Sequence, residues 1–230
     1  MIERSEQSSI ADFQSEGAGA IPRPSHQKMK ITLRQASTDF DKRSSDNIIR
    51  SHHSYTPKTR RVGRYIDWLV LNHGEIVGTI GLMDTPALSC RARDRYVGWN
   101  DSQKARNMHK LVANYRFTLM PNAPKNSGSK TLSLLTKICR KAWFEKYCAD
   151  LVLIETVVKR PRRGTIYEAS GWRMIGLTAG GDATYHGLGF GNPEKGERGT
   201  PEVRKLTFSG SRLLIFIKPL TKDFRRRLKI

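Results

Sequence analysis

The chain has 230 residues, 37% of them hydrophobic, enough for one core of good size and too few for several. Lys and Arg number 41 against 21 Asp and Glu, a formal net charge of +20, which exceeds the needs of solubility and points to a polyanionic partner. A membrane-spanning helix is excluded because no apolar run approaches about 18 residues. The opening Glu and Arg among Ser and Gln do not read as a secretory leader, so a cytoplasmic location is expected. Nucleic acid is therefore preferred to a membrane surface. Cys90, Cys139 and Cys148 are odd in number and lack metal-ligand spacing, so they are read as reduced thiols. Nothing in the pattern reports an oligomeric state.

Residues 1–28 are rich in Ser, Glu, Gln, Gly and Pro and are expected to form a flexible arm. Ile31 and Leu33 alternate with polar residues as in a short strand, and Thr38-Asp39-Phe40 opens a helix that continues to His52. After a basic loop, Pro57 to Arg64, two strands are expected at Tyr65–Leu71 and Glu75–Leu82, joined by the turn Asn72-His73-Gly74. Residues 84–100 read as irregular. A helix is expected from about Ser102 to Leu111, then a strand to Met120. The loop Pro121 to Ser129 feeds a helix from about Ser129 to Tyr147, whose Leu132, Leu135, Ile138, Cys139 and Ala142 form one apolar face. Leu151–Val157 reads as a strand covered on both faces. A short helix around Tyr167, a Gly171-Trp172 stop and a strand over Arg173–Thr178 follow. Residues 179–203 form a glycine-rich polar loop, Leu206–Lys218 gives one or two strands, and the basic tail Phe224–Ile230 needs no fold. No internal repeat is visible.

The block Gly164-Thr-Ile-Tyr-Glu-Ala-Ser-Gly-Trp172, between two apolar strands, resembles the signature of the GCN5-related N-acetyltransferases. The resemblance implies a mixed α/β sheet flanked by helices and a helix tyrosine, Tyr167, able to protonate a leaving thiolate. It also implies an activated acyl donor, acetyl-coenzyme A or another acyl carrier. Ser127, Gly128, Ser129 and Lys130 stand where a strand meets a helix N-terminus, a place suited to the donor's phosphates. A helix cap from Ser127 or Ser129 is the structural alternative. The loop has one glycine where that superfamily commonly has two.

Asn114-Tyr115-Arg116, then Pro124 to Ser129, then the Tyr167 block resemble the Mom family of phage DNA-modification proteins. That resemblance implies carbamoylmethylation of adenine N6 in double-stranded phage DNA, protecting it from host restriction. It implies site roles for Arg116, Ser129, Glu155 and Tyr167. Ala92 to Trp99, with Asn107-Met108-His109 and Asn114 to Phe117, resembles the DruA component of Druantia anti-phage systems. Glu155 is a candidate general base for an exocyclic amine, with an ion pair to Arg116 or the basic loop as its alternative. Arg116 is a candidate anchor for an anion or for Glu155.

His52 and His53 diverge by about 100° on a helix end and cannot readily share one metal, although one of them with a carboxylate leaves a metal site open. For DNA, the basic runs Arg60-Arg61-Arg64 and Lys159-Arg160-Arg162-Arg163 stand out, with Arg225-Arg226-Arg227-Lys229 behind them. Trp68, Trp99 and Trp172 could stack on an extruded base, core packing being the alternative for each. The expected organisation is an arm over 1–28, an acetyltransferase-like DNA-modification domain over 29–220 and a basic tail over 221–230. Two other functions stay open: a DruA-like defence protein that binds or processes DNA without transfer, and an N-acetyltransferase with a protein or small-molecule acceptor.

Overall fold

A computed structural model describes residues 29–54, 61–84, 90–178 and 212–230. The expected arm and the expected loop over 179–203 lie outside them. Seven strands form one sheet in the order β1-β2-β3-β4-β5-β7-β6. They are β1 (Ile31–Gln35), β2 (Tyr65–Asn72), β3 (Glu75–Met83), β4 (Leu111–Leu119), β5 (Leu153–Val158), β6 (Arg173–Leu177) and β7 (Leu214–Pro219). All neighbours pair antiparallel except β4 and β5, which run parallel. The helices are α1 (Asp39–His52), α2 (Arg91–Val97), α3 (Asp101–Asn107), α4 (Ser127–Tyr147), α5 (Thr165–Ala169) and α6 (Phe224–Lys229). The strand order and the single parallel pair give the expected acetyltransferase-like mixed sheet flanked by helices.

Local chemistry explains these boundaries. Thr38 caps α1, its Oγ1 accepting from the Asp41 N–H at 3.1 Å, and Asp39 and Asp41 sit at the positive end of the helix dipole. Asn100 and Gln103 form a reciprocal capping box on α3. The β2–β3 turn places His73 and Gly74 at φ 50 and 90, the left-handed pair that a tight hairpin requires. Gly164 precedes α5 at φ 77, and a Cβ there would lie 2.4 Å from the Phe216 ring, so only glycine fits.

One face of the sheet carries α4 and α5 over Trp68, Ile80, Val112, Ile154 and Phe216. On the other face, α1 covers β2, β3 and β4, with the Ser45 hydroxyl 2.7 Å from that of Thr79. A second core, built from Val97, Trp99, Leu153, Ile217, Phe224 and Leu228, lies under α2 and α6.

Three expectations differ from the fold. The stretch read as irregular contains α2, whose Arg93 is buried in an ion pair and whose Val97 enters the second core. The tail read as needing no fold is α6, with Phe224 and Leu228 buried. The helix before β4 also stops at Asn107, and a 3-10 turn (Met108–Lys110) leads into the strand.

Candidate active-site cleft

The sheet opens where β4 and β5 part. Their parallel ladder covers Leu111–Leu153, Val112–Ile154 and Ala113–Glu155; beyond it β4 stays with β3 and β5 stays with β7. A bulge marks the divergence: Leu82 pairs with Asn114 and Gly81 with Arg116, leaving Tyr115 without an opposite residue. Asn114 closes the apex. Its amide nitrogen donates to the Gly81 and Arg116 carbonyls at 2.9 and 3.0 Å, which fixes its Oδ1 as an acceptor. That oxygen receives the Tyr167 hydroxyl at 3.1 Å, and Thr156 Oγ1 donates to the Asn114 carbonyl at 3.0 Å.

The opening is a cavity of about 540 Å³ whose lining includes His52, His53, Asn114, Arg116, Glu155 and Arg162. Partial burial, then the charges of Arg116 and Arg162, hold the His53 imidazole below its ordinary value of 6.5. It is therefore neutral near pH 7 and able to accept a proton. Arg116 Nη1 donates to the Tyr115 carbonyl at 2.7 Å, and its guanidinium lies over the Tyr115 ring. Tyr115 donates in turn to Asp67 at 2.6 Å, and Arg61 bridges Asp67 to Asp46 of α1. The bulge is thus tied to the helix that carries His53. Burial and the neighbouring Asp67 push the Tyr115 hydroxyl far above its usual range, so it stays a proton donor.

Glu155 is buried on the cleft floor, and Arg93 Nη1 lies 3.2 and 3.1 Å from its two carboxylate oxygens. An ion pair was expected for Glu155 with Arg116 or the basic loop, whereas the partner here is Arg93 of α2. Arg93 is itself fully buried, bonded to Asp94 at 3.2 Å and set over Trp99. Tyr167 is not among the residues lining the cleft. It sits beneath Asn114, stacked on Phe216 and edge-on to Trp172, with its proton directed at Asn114.

The start of α4 reaches the cleft indirectly. Gly128 packs against Ile166, which lines the opening, so a Cβ on Gly128 would lie 3.1 Å from Ile166 Cγ2. The alternative of a serine cap does not hold. Ser127 donates its hydroxyl to the Pro124 carbonyl at 2.6 Å and Ser129 to the Asn126 carbonyl at 3.3 Å, while no side chain caps the helix. The dipole of a 21-residue helix therefore ends without a side-chain cap between exposed Lys125 and Lys130, the Ser127 N–H being bonded to the Pro124 carbonyl at 3.1 Å.

Of the first basic run, Arg60 lies outside the described residues. Arg61 is 12% exposed and held by two aspartates, and Arg64 pairs with Asp84 at 2.6 Å over the Trp143 and Tyr147 rings. These two residues hold the fold together and do not form an open phosphate-binding run. Lys159, Arg160, Arg162 and Arg163 are exposed beside the cleft mouth, as expected of a surface run. Trp68, Trp99 and Trp172 are all buried, so core packing, not base stacking, is their role. Among the described residues no three His, Cys, Asp or Glu converge as a metal site. Burial pushes the Cys139 thiol up to about 12.

Sequence reasoning did not single out Arg93 as the partner of Glu155, or Asn114 as the residue that orients Tyr167. The resemblances quoted both, but no spacing rule assigns contacts across so many residues.

The strand order and the parted parallel pair define an α/β fold built on one mixed sheet with flanking helices. Solved structures with similar folds include FeeM, an N-acyl amino acid synthase from uncultured soil microbes, at 11% identity. That alignment covers 88% of this chain and 96% of the other, with a TM-score of 0.46. Another is aminoglycoside acetyltransferase AAC(6')-Ib in complex with coenzyme A and kanamycin, at 12% identity over 86% and 98% of the two chains, with a TM-score of 0.48. Spermidine N-acetyltransferase SpeG from Vibrio cholerae aligns at 12% identity over 86% and 97%, with a TM-score of 0.45. No curated protein matches the chain. A family model for the Druantia protein DruA matches residues 5–187, and the chain belongs to that family.

Proposed function

We propose that the chain transfers a carbon-bonded group from an activated donor to the exocyclic amine of adenine in double-stranded DNA, in an anti-phage setting within the bacterial cytoplasm. The observation that carries this reading is the cleft, where an uncharged imidazole stands near two guanidinium groups beside the exposed Lys159 to Arg163 run. The uncapped start of α4, with Lys125 and Lys130, fits the phosphates of a carrier such as coenzyme A, and residues Ser127–Lys130 would hold it. A donor bound there supplies the activated carbon. Arg162 and the exposed run hold DNA phosphates, and Arg116 compensates negative charge that develops in the cleft. As the new N–C bond forms, His53 takes the proton that the amine loses, and the bond between that carbon and its carrier breaks, the carrier leaving with the electron pair as a thiolate where it is coenzyme A. Glu155 anchors α2 through Arg93, and Tyr167 positions Asn114. The resemblance of Arg116, Ser129 and Tyr167 to the Mom pattern supports carbamoylmethylation as the specific transfer.

One observation favours a second reading, DNA recognition without transfer: Arg93 already engages both oxygens of Glu155, the residue first cast as base. Mass spectrometry of nucleosides from plasmid DNA, after expression of the chain, separates the two. Transfer predicts a heavier adenosine species that is absent with Arg116→Gln. With Tyr167→Phe the species persists at a reduced level, and the melting midpoint falls because Asn114 Oδ1 loses its donor, a cost of about 1–3 kcal/mol. Loss above about a hundredfold at an unchanged midpoint would give the Tyr167 hydroxyl a direct acid role. Unaltered nucleosides from folded, DNA-binding protein overturn transfer and leave recognition.

A further inference from the structure

A second cavity, about 470 Å³, lies on the outer side of α2 against the edge strand β6, lined by Arg91, Ala92, Arg95 and Tyr96 from the helix and by 173–177 from the strand. Arg91 and Arg95 are one helical turn apart and share this side of α2, while Arg93, two residues from each, points to the core and Glu155. Arg173 faces them from β6. All three are exposed, and among the described residues none has a side-chain ion-pair or side-chain hydrogen-bond partner. The acids of the surrounding elements are committed elsewhere: Asp94 to Arg93, Lys104 and Trp99, and Asp223 to Arg226. Arg225 adds a further cation at the rim, its guanidinium 4.9 Å from the Tyr96 ring, which stacks on Phe224.

Three guanidinium groups around one cavity repel one another, and a polyanion relieves that repulsion. The cavity also stands in fixed relation to the cleft. Arg173 pairs with Ile217, and Ile217 with Glu155, so the three residues line up across the sheet. Adjacent strands lie about 4.8 Å apart, which sets the Arg173 backbone about 10 Å from that of Glu155. This is about three nucleotide rises along one DNA strand.

We infer that the α2–β6 groove holds the sugar–phosphate backbone of DNA on the far side of α2 from the cleft, through Arg91, Arg95 and Arg173. The inference rests on the reading of DNA as the partner and assigns it a second contact line. A phosphate track needs charge, not a particular base, so binding through it is indifferent to sequence.

The test is fluorescence anisotropy of the full chain with a labelled duplex, repeated between about 50 and 200 mM salt. Each neutralised phosphate adds about 0.9 to the slope of log K against log salt, so the Arg91→Gln, Arg95→Gln, Arg173→Gln protein should show a slope shallower by about 2 to 3. Lysine at the same three positions should restore it. Lys137→Gln with Lys141→Gln, on α4 across the sheet, should leave the slope within about 1 of the parent. An unchanged slope and affinity in the glutamine protein, at an unchanged melting temperature, overturns the groove. Arginine-dependent binding to anionic phosphatidylglycerol vesicles without duplex binding also overturns it. Unmodified nucleosides with a shallower slope defeat the transfer reading and leave the groove standing. Arg116-dependent modification with an unaffected slope does the reverse.

Discussion

At the cleft mouth, protonation of His53 is opposed by burial and by the charges of Arg116 and Arg162, with Glu155 in the same lining. The unfolded chain has no such opposition, so on acidification it binds the proton first. Stability associated with a neutral His53 is fully present above its ordinary value of 6.5 and is lost as pH falls from there through the lower folded value. Replacing His53 with Gln should therefore shrink the drop in melting temperature between about pH 7.5 and about pH 5. An equal drop in parent and variant would refute the argument. The sequence marked His53 as a candidate metal ligand. Its actual environment depends on strands distant in the chain, and only the folded sheet brings Arg116 and Arg162 to it.

At the level of elements, α2 is short and Cys90, at its N-cap, makes no side-chain cap bond, so the helix depends on what Arg93 and Val97 bury. The Arg93–Glu155 pair is a buried ion pair whose partners each require the other. Arg93→Met takes from the buried Glu155 carboxylate the donor that reaches both its oxygens and should destabilise by about 3–5 kcal/mol in urea unfolding, whereas Arg93→Met with Glu155→Leu should recover most of that loss. Additive losses would mean that the two residues act separately. Strands, the long helix and the hairpin turn were legible because periodicity and turn residues are local signals. The helix α2 was missed because Arg91, Arg93, Asp94 and Arg95 hide the apolar spacing, and of its two buried residues, Arg93 and Val97, one is itself an arginine.

Across the whole molecule, the same masking occurs at α6. Arg225, Arg226, Arg227 and Lys229 make the segment read as a solvated tail, yet Phe224 and Leu228 are spaced one turn apart and close the second core. Leu228→Ala should cost about 2–5 kcal/mol, seen as an earlier thermal transition; a free tail would show no change. The formal charge of +20 foretold a polyanion but not its location. Part of the basic surplus is held in ion pairs, by Arg61, Arg64 and Arg93, and the exposed cations include the Lys159 to Arg163 run and those of the α2–β6 groove.

The ladder joining β4 to β5 is only three residue pairs long, so the sheet is in effect two leaves sharing a short spine. Buried side chains of α4 join a core drawn from both leaves, Trp68 and Ile80 on one, Ile154 and Phe216 on the other. The helix that straps the leaves together therefore begins at the candidate donor-binding residues Ser127–Lys130. Whatever occupies that end also bears on how firmly the spine is held.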